Sequence, residues 1–218
     1  MEGFVSLNFQ AIGEHFCAVT GPKPFTASLT GGSKVNYALI GLAVSILLWG
    51  GSALADTSTL PMGNSKACME GPLEQFGRYI GNWDIEDSQL GQDGQTWTDG
   101  PGAEWNFVCL GNGTAIQDFW MPADGSVGTN LRTWNPETGS WDIAWAINNL
   151  PGFAHITAKQ DENGSVVMHY VSPVPDPLRR ITFFPPDENG WNWKLEFSSD
   201  DGESWLEVYR IKATRSRQ

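Results

Sequence analysis

Arg132, His169 and Arg180 are the side chains of this sequence best placed to hold a polar or anionic group, because each stands inside an apolar run and not in a turn. A guanidinium donates forked, charge-assisted hydrogen bonds to carboxylates, and an imidazole can do the same or move a proton near neutral pH. Trp145 and Trp193 stand in similar runs and offer flat apolar walls for a ring. Together the five describe a pocket with apolar walls and a few polar groups. Catalysis by a carboxylate pair would need two acids on one inward face. Glu137, Asp161, Glu162, Asp187, Glu188, Asp200 and Asp201 instead fall in turns, where water solvates them. His15, His155 and His169 are too scattered for a zinc site, and no segment has the ordered alternation of a calcium loop. No Gly-x-Ser-x-Gly elbow is present. No catalytic residue, metal or cofactor is expected.

Strands must position these residues. Asn135–Trp141, Asp161–Gly164, Asp187–Trp191 and Asp200–Trp205 each set acidic or Asn residues and a glycine between two apolar runs. Glycine accepts the positive φ of a tight corner, and Asp or Asn bonds its own backbone there. Ten strands are predicted: Trp83–Ser88, Ala103–Leu110, Ala115–Met121, Thr129–Trp134, Trp141–Asn148, Ala154–Gln160, Val166–Val171, Leu178–Phe184, Trp191–Ser198 and Trp205–Ala213. Their short connections make sequential antiparallel neighbours the natural pairing, and closure removes both exposed edges. Leu73–Ile80, apolar at helical spacing, is expected as a short helix against or across one mouth. The fold class is all-β, an up-and-down antiparallel barrel.

Counting from each corner assigns faces. Pairing Trp134 with Trp141 sets Arg132 opposite Ile143, inward with Trp141 and Trp145. Pairing Gln160 with Ser165 turns His169 inward beside Ile156 and His155 outward. Pairing Phe184 with Trp191 places Arg180 and Thr182 on the side of Trp193 and Leu195. A filled barrel that satisfies these polar groups locally is the alternative to a pocket.

Tyr37–Trp49 carries no charge, follows Lys34 and precedes Ala53-Leu54-Ala55. That is the pattern of a secretory signal peptide over 35–55, and the run is short of the roughly 20 residues that span a bilayer. No stable membrane insertion is expected once it is removed, and the compartment expected is periplasmic or extracellular. Residues 1–34 are an unassigned leader, with translation starting near Val35 or the stretch discarded. Residues 56–69 read as a flexible segment and 70–215 as the folded domain. Glu2, Glu14, Lys23 and Lys34 cancel, so the part after Ala55 keeps the whole net charge of -12. That sign repels nucleic acid and anionic lipid. Cys68 and Cys109, left after the cut, are expected to form one disulfide, two separate thiols being the alternative.

The helix, Gly81-Asn82-Trp83 at the first strand and a final strand with Arg210 resemble the lipocalin-like, or calycin, barrels. The turns Asn135–Trp141 and Ser198–Trp205 bring the likeness closest to uncharacterised bacterial members. In that superfamily the Trp of Gly-x-Trp packs across the closed end against an Arg of the last strand, which implies Trp83 with Arg210. The second lipocalin motif, of Thr-Asp-Tyr type, is not evident. Some calycin barrels bind haem through one His, which would give His169 that role; a histidine satisfied within the wall is the stronger reading. Ser198–Trp205 also resembles the Asp-box hairpin of sialidases, a structural motif, but a propeller needs four or more such blades. The function expected is an exported barrel binding a small, partly apolar ligand, with oligomeric state open. The alternatives are a calycin-type isomerase or hydratase using His169 and a nearby Arg, and a protein-interaction barrel with Trp97, Trp105 and Trp120 clustered outside.

Overall fold

The computed structural model describes residues 66–217. The expected leader, signal peptide and most of the flexible segment lie outside the described residues. A 3-10 turn at Ala67–Met69 and another at Gly71–Leu73 lead into a single helical turn, α1, at Glu74–Gly77. Eleven strands follow: β1 (Gly81–Leu90), β2 (Trp97–Asp99), β3 (Ala103–Leu110), β4 (Ala115–Pro122), β5 (Gly128–Asn135), β6 (Ser140–Ile147), β7 (Ala154–Gln160), β8 (Val166–Ser172), β9 (Leu178–Phe183), β10 (Trp191–Ser198) and β11 (Leu206–Arg215). Each pairs antiparallel with its predecessor from β4 onward, β3 pairs with β1, and β11 pairs back onto β1. Ten strands thus close an up-and-down antiparallel barrel, and β2 is a flap on the end of β1 that the sequence pattern did not reveal.

The inward face repeats at every second residue. Trp83, Trp105, Phe107, Ile116, Arg132, Ile143, Ile156, Met168, Ile181, Phe183, Trp193, Ile211 and Ala213 all lie on it and are buried. α1 seals one end: Phe76 and Tyr79 have no exposed surface and pack edge-on against Trp141 and Phe183. Tyr79 donates to the Phe184 carbonyl at 2.9 Å, and Gln75 accepts from Trp141 Nε1 at 2.9 Å. The Cys68–Cys109 disulfide ties the first helical turn to β3, with the two Cα atoms 6.0 Å apart.

At this end the Gly-x-Trp signature acquires a physical cause. Trp83 lies opposite Arg215, whose guanidinium sits 4.0 Å from the indole centroid and donates to the Ile80 carbonyl at 2.9 Å. A Cβ on Gly81, whose φ is +131°, would meet Arg215 Nη1 at 1.8 Å. A side chain there would push the cation off the indole, and the positive φ is itself one that favours glycine. The expected partner, Arg210, is a correction: it lies five residues earlier, on the opposite face, and covers Trp97 of the flap at 3.3 Å.

Candidate functional site

The barrel interior has two unlike halves. In the half next to α1 the side chains are sealed. Arg132 and Asp118 form an ion pair at 2.6 Å with both side chains fully buried. Asp118 also accepts from the backbone N–H of Asn130 at 3.0 Å and from its Nδ2 at 3.1 Å. The Arg132 guanidinium lies over the Phe76 ring at 4.7 Å, with Phe107 and Phe183 beyond. Its Nε and Nη1 have no partner among the described residues. A charge buried among three rings is compensated there by its carboxylate.

In the far half the inward side chains keep exposed surface. Trp120, Trp145, Tyr170, Arg179, Leu195, Phe197 and Tyr209 face in by register, yet each is only partly buried. Inward side chains that keep solvent contact make this half the barrel's open mouth, and the recess they border is its hollow. Trp105 and Trp193 form its floor, and the Trp145 ring lies directly over Gly128, where a Cβ would come within 2.1 Å. On one wall Tyr209 donates to Asp87, which also accepts from the Gly102 N–H at 2.8 Å. Burial raises the Tyr209 phenol, and the Asp87 hydrogen bond and charge raise it further. On another wall the Arg179 guanidinium lies between the rings of Tyr170 at 5.9 Å and Phe197 at 5.5 Å. Burial pushes the Tyr170 phenol up, opposed by the Arg179 cation.

Of the expected site residues, Arg132, Trp145 and Trp193 face the interior. Arg132 lies in the sealed half, whereas Trp145 and Trp193 border the hollow. His169 and Arg180 are corrections, because both counts from their hairpins slip by one. Asp161 pairs with Ser165 around a three-residue loop ending in Gly164 at φ +81°, so Gln160 meets Val166 and His169 meets Thr157, not Ile156. His169 is therefore on the outer face and exposed, 6.2 Å from Trp205, where burial and then Arg180 lower its pKa. In the next hairpin Phe184 donates to the Asn192 carbonyl, which sets Trp193 opposite Phe183 and Arg180 opposite Glu196.

Arg180 and Thr182 thus line an outer groove of about 550 Å³ with Lys194 and Glu196. Its cations are already matched: Glu196 accepts from Arg180 Nε at 2.8 Å and Lys194 Nζ at 2.9 Å. Arg179 was missed. The signal for it was present, since it shares parity with the apolar Ile181 and Phe183, whereas Arg180 shares parity with Thr182.

The Asp-box-like hairpin is structural. Asp200 accepts from the Ser198 hydroxyl at 2.7 Å and the Ser204 N–H at 2.9 Å, and Trp205 donates to Gly202 O at 3.0 Å. The Ser204 and Ser198 hydrogen bonds hold the Asp200 carboxyl down at about 2. Trp105 is buried inside, Trp120 stands edge-on to it at 5.0 Å, and Trp97 is under Arg210, so the three do not cluster outside. Among the described residues no group of three or more His, Cys, Asp or Glu could hold a metal ion, and no helix is long and apolar enough to cross a membrane.

No family model and no curated protein matches the sequence. Among solved structures, the S-type phycobiliprotein lyase CPES from Guillardia theta is similar over 70% of this chain and 97% of its own. The identity is 10% and the TM-score 0.47, a likeness of barrels too slight to say what this one holds.

Proposed function

We propose that this protein binds a small, partly apolar molecule in the far half of its barrel, and that it does so after export. The observation that carries the reading is the partly exposed, inward-facing set Trp120, Trp145, Tyr170, Leu195 and Phe197. Such a surface gains about 25 cal/mol for each Å² that a guest removes from water. The rim supports it. Val127, Phe153, Val174 and Leu206 stand exposed in or beside the hairpin corners of this end, Phe153 at 70% and Val174 at 64%. Carboxylates stand in the corners of both ends, Glu137, Asp161, Glu162, Asp187 and Glu188 at the α1 end and Asp124, Asp176, Asp200, Asp201 and Glu203 at this one. The exposed large apolar side chains in or beside hairpin corners are all at this end. The Cys68–Cys109 bridge supports an oxidising compartment. A proton-transfer enzyme loses its candidate base, since His169 is outside the barrel.

The test is calorimetric titration of the full chain with 1-decanol, repeated on Ala154→Trp, which places an indole beside Trp145 in the hollow. One saturable site is expected in the natural chain. Affinity at least about tenfold weaker is expected in the variant, whose near-ultraviolet dichroism should persist. Equal affinity in both would overturn the proposal. Sequencing the N-terminus of the exported protein tests the export reading; a mature chain beginning within 1–34 would contradict it.

A further inference from the structure

The barrel interior is short of hydrogen-bond acceptors. Among the described residues, seven buried side-chain nitrogen or oxygen atoms lack a partner, and all are N–H donors. Six of them belong to inward-facing side chains: Trp105 Nε1, Trp191 Nε1, Trp193 Nε1, Arg132 Nε and Nη1, and Arg179 Nε. Buried donors without acceptors each cost free energy, so a guest that brings acceptors relieves a cost that a hydrocarbon guest leaves in place.

Of these, Arg179 is the cation a guest can reach. Arg132 has no exposed surface and is neutralised by Asp118, whereas Arg179 is partly exposed and has no ion-pair partner among the described residues. Its guanidinium lies near the rings of Tyr170 and Phe197 and within reach of the Tyr170 hydroxyl, and no carboxylate among the described residues pairs with it. Around the ring of strands, β4 with Trp120 lies opposite β9 with Arg179. A molecule anchored at Arg179 therefore lays its body toward Trp120 and Trp145. The Asp87 carboxylate on β1 repels an anion from the wall between.

We propose that Arg179 is the recognition residue of the hollow, and that the guest is an amphiphilic monoanion whose carboxylate pairs with Arg179 while its apolar body lies against Trp120 and Trp145. This rests on the reading of the far half as a ligand hollow. The guanidinium fork matches the two oxygens of a carboxylate, which a single hydroxyl cannot reproduce.

The experiment is calorimetric titration with decanoate and, separately, 1-decanol, on the full chain and on Arg179→Met and Arg179→Lys. Near-ultraviolet dichroism of the indoles checks that each variant keeps its packing. Arg179→Met is expected to weaken decanoate by about tenfold or more while moving 1-decanol by less than about threefold. Arg179→Lys keeps the charge, loses the fork, and should fall between. If decanoate and 1-decanol weaken equally in Arg179→Met, the Arg179 assignment falls and the hollow stands. If the natural chain binds neither, both readings fall together.

Discussion

Removing the charge from Asp118 should be the most damaging single change of one atom type in this barrel. Arg132 Nη2 donates to Asp118 at 2.6 Å in a site without exposed surface, and two further guanidinium nitrogens are already unpartnered. Asp118→Asn keeps an acceptor for the Asn130 N–H but leaves the cation uncompensated among Phe76, Phe107 and Phe183. Breaking such a buried pair from one side costs about 3–5 kcal/mol. In a domain of this size that is a melting shift of roughly 6–20 °C. Arg132→Met alone should cost a similar amount by stranding the carboxylate. The double variant removes both charges and fills the space with an unbranched apolar chain, so it should lie well above the sum of the two losses, by about 2 kcal/mol or more. Urea unfolding followed by tryptophan fluorescence gives all four corners of the cycle. Additive losses, or an Asp118→Asn loss below about 1 kcal/mol, would refute the claim that this pair is held by mutual neutralisation.

Four further outcomes follow from other sites. Arg215→Ala should destabilise by about 1–3 kcal/mol through loss of the Trp83 contact and the Ile80 hydrogen bond, whereas Arg210→Ala, on the exposed face, should cost under about 1 kcal/mol, read by the same unfolding assay. Replacing Cys68 and Cys109 by Ser opens a loop of sequence separation 41, which in chain-entropy terms removes about 4 kcal/mol, measured against the oxidised protein. Gly128→Ala should drive the Trp145 ring from its seat, because the new methyl would lie 2.1 Å from it, with a change in near-ultraviolet dichroism and weaker uptake of 1-decanol. Burial raises the Glu196 carboxyl, but hydrogen bonds from Arg180 and Lys194 outweigh it and leave the folded value below the ordinary 4.5. The unfolded chain then takes up this proton first as pH falls, so the stabilisation is present above pH 4.5 and is lost as pH drops through the folded value. Glu196→Gln should flatten that acid limb in urea midpoints measured against pH.

The closed meander was legible because each of its signals repeats. Asp, Asn and Gly mark successive corners, apolar residues alternate between them, and short connections force sequential pairing. The face of Arg132 was legible for a second reason. The Asn135–Ser140 corner has strong turn formers throughout, and the pair Trp134–Trp141 counted from it is the pair observed. The slips at His169 and Arg180 have local causes. Asp161 still takes part in backbone pairing with Ser165, which shortens the loop by one residue at its N-terminal side. After Phe184, two prolines without N–H groups interrupt the ladder, and Asp187 closes its own bridge with Gly190. In both arms the alternation of the strand itself was the better guide. Ile181 and Phe183 mark Arg179 as inward, and Ile211 and Ala213 mark Arg215. The flap β2 left no trace because three residues are too few to show a period. The hollow itself could not be read from type or spacing, since Trp120 and Trp141 are both inward indoles and only the shape around them leaves one partly exposed and the other sealed.

The most direct measurement is a methyl-resolved NMR titration of the full chain with 1-decanol. Leu195 and Ile181 are on the inner wall of the far half, and Leu131, 41% exposed, is on the outer face. Saturable shifts of the Leu195 and Ile181 methyls with Leu131 unmoved are predicted. Shifts confined to Leu131 and its outer neighbours, with the inner methyls silent at saturation, would contradict a ligand site inside the barrel.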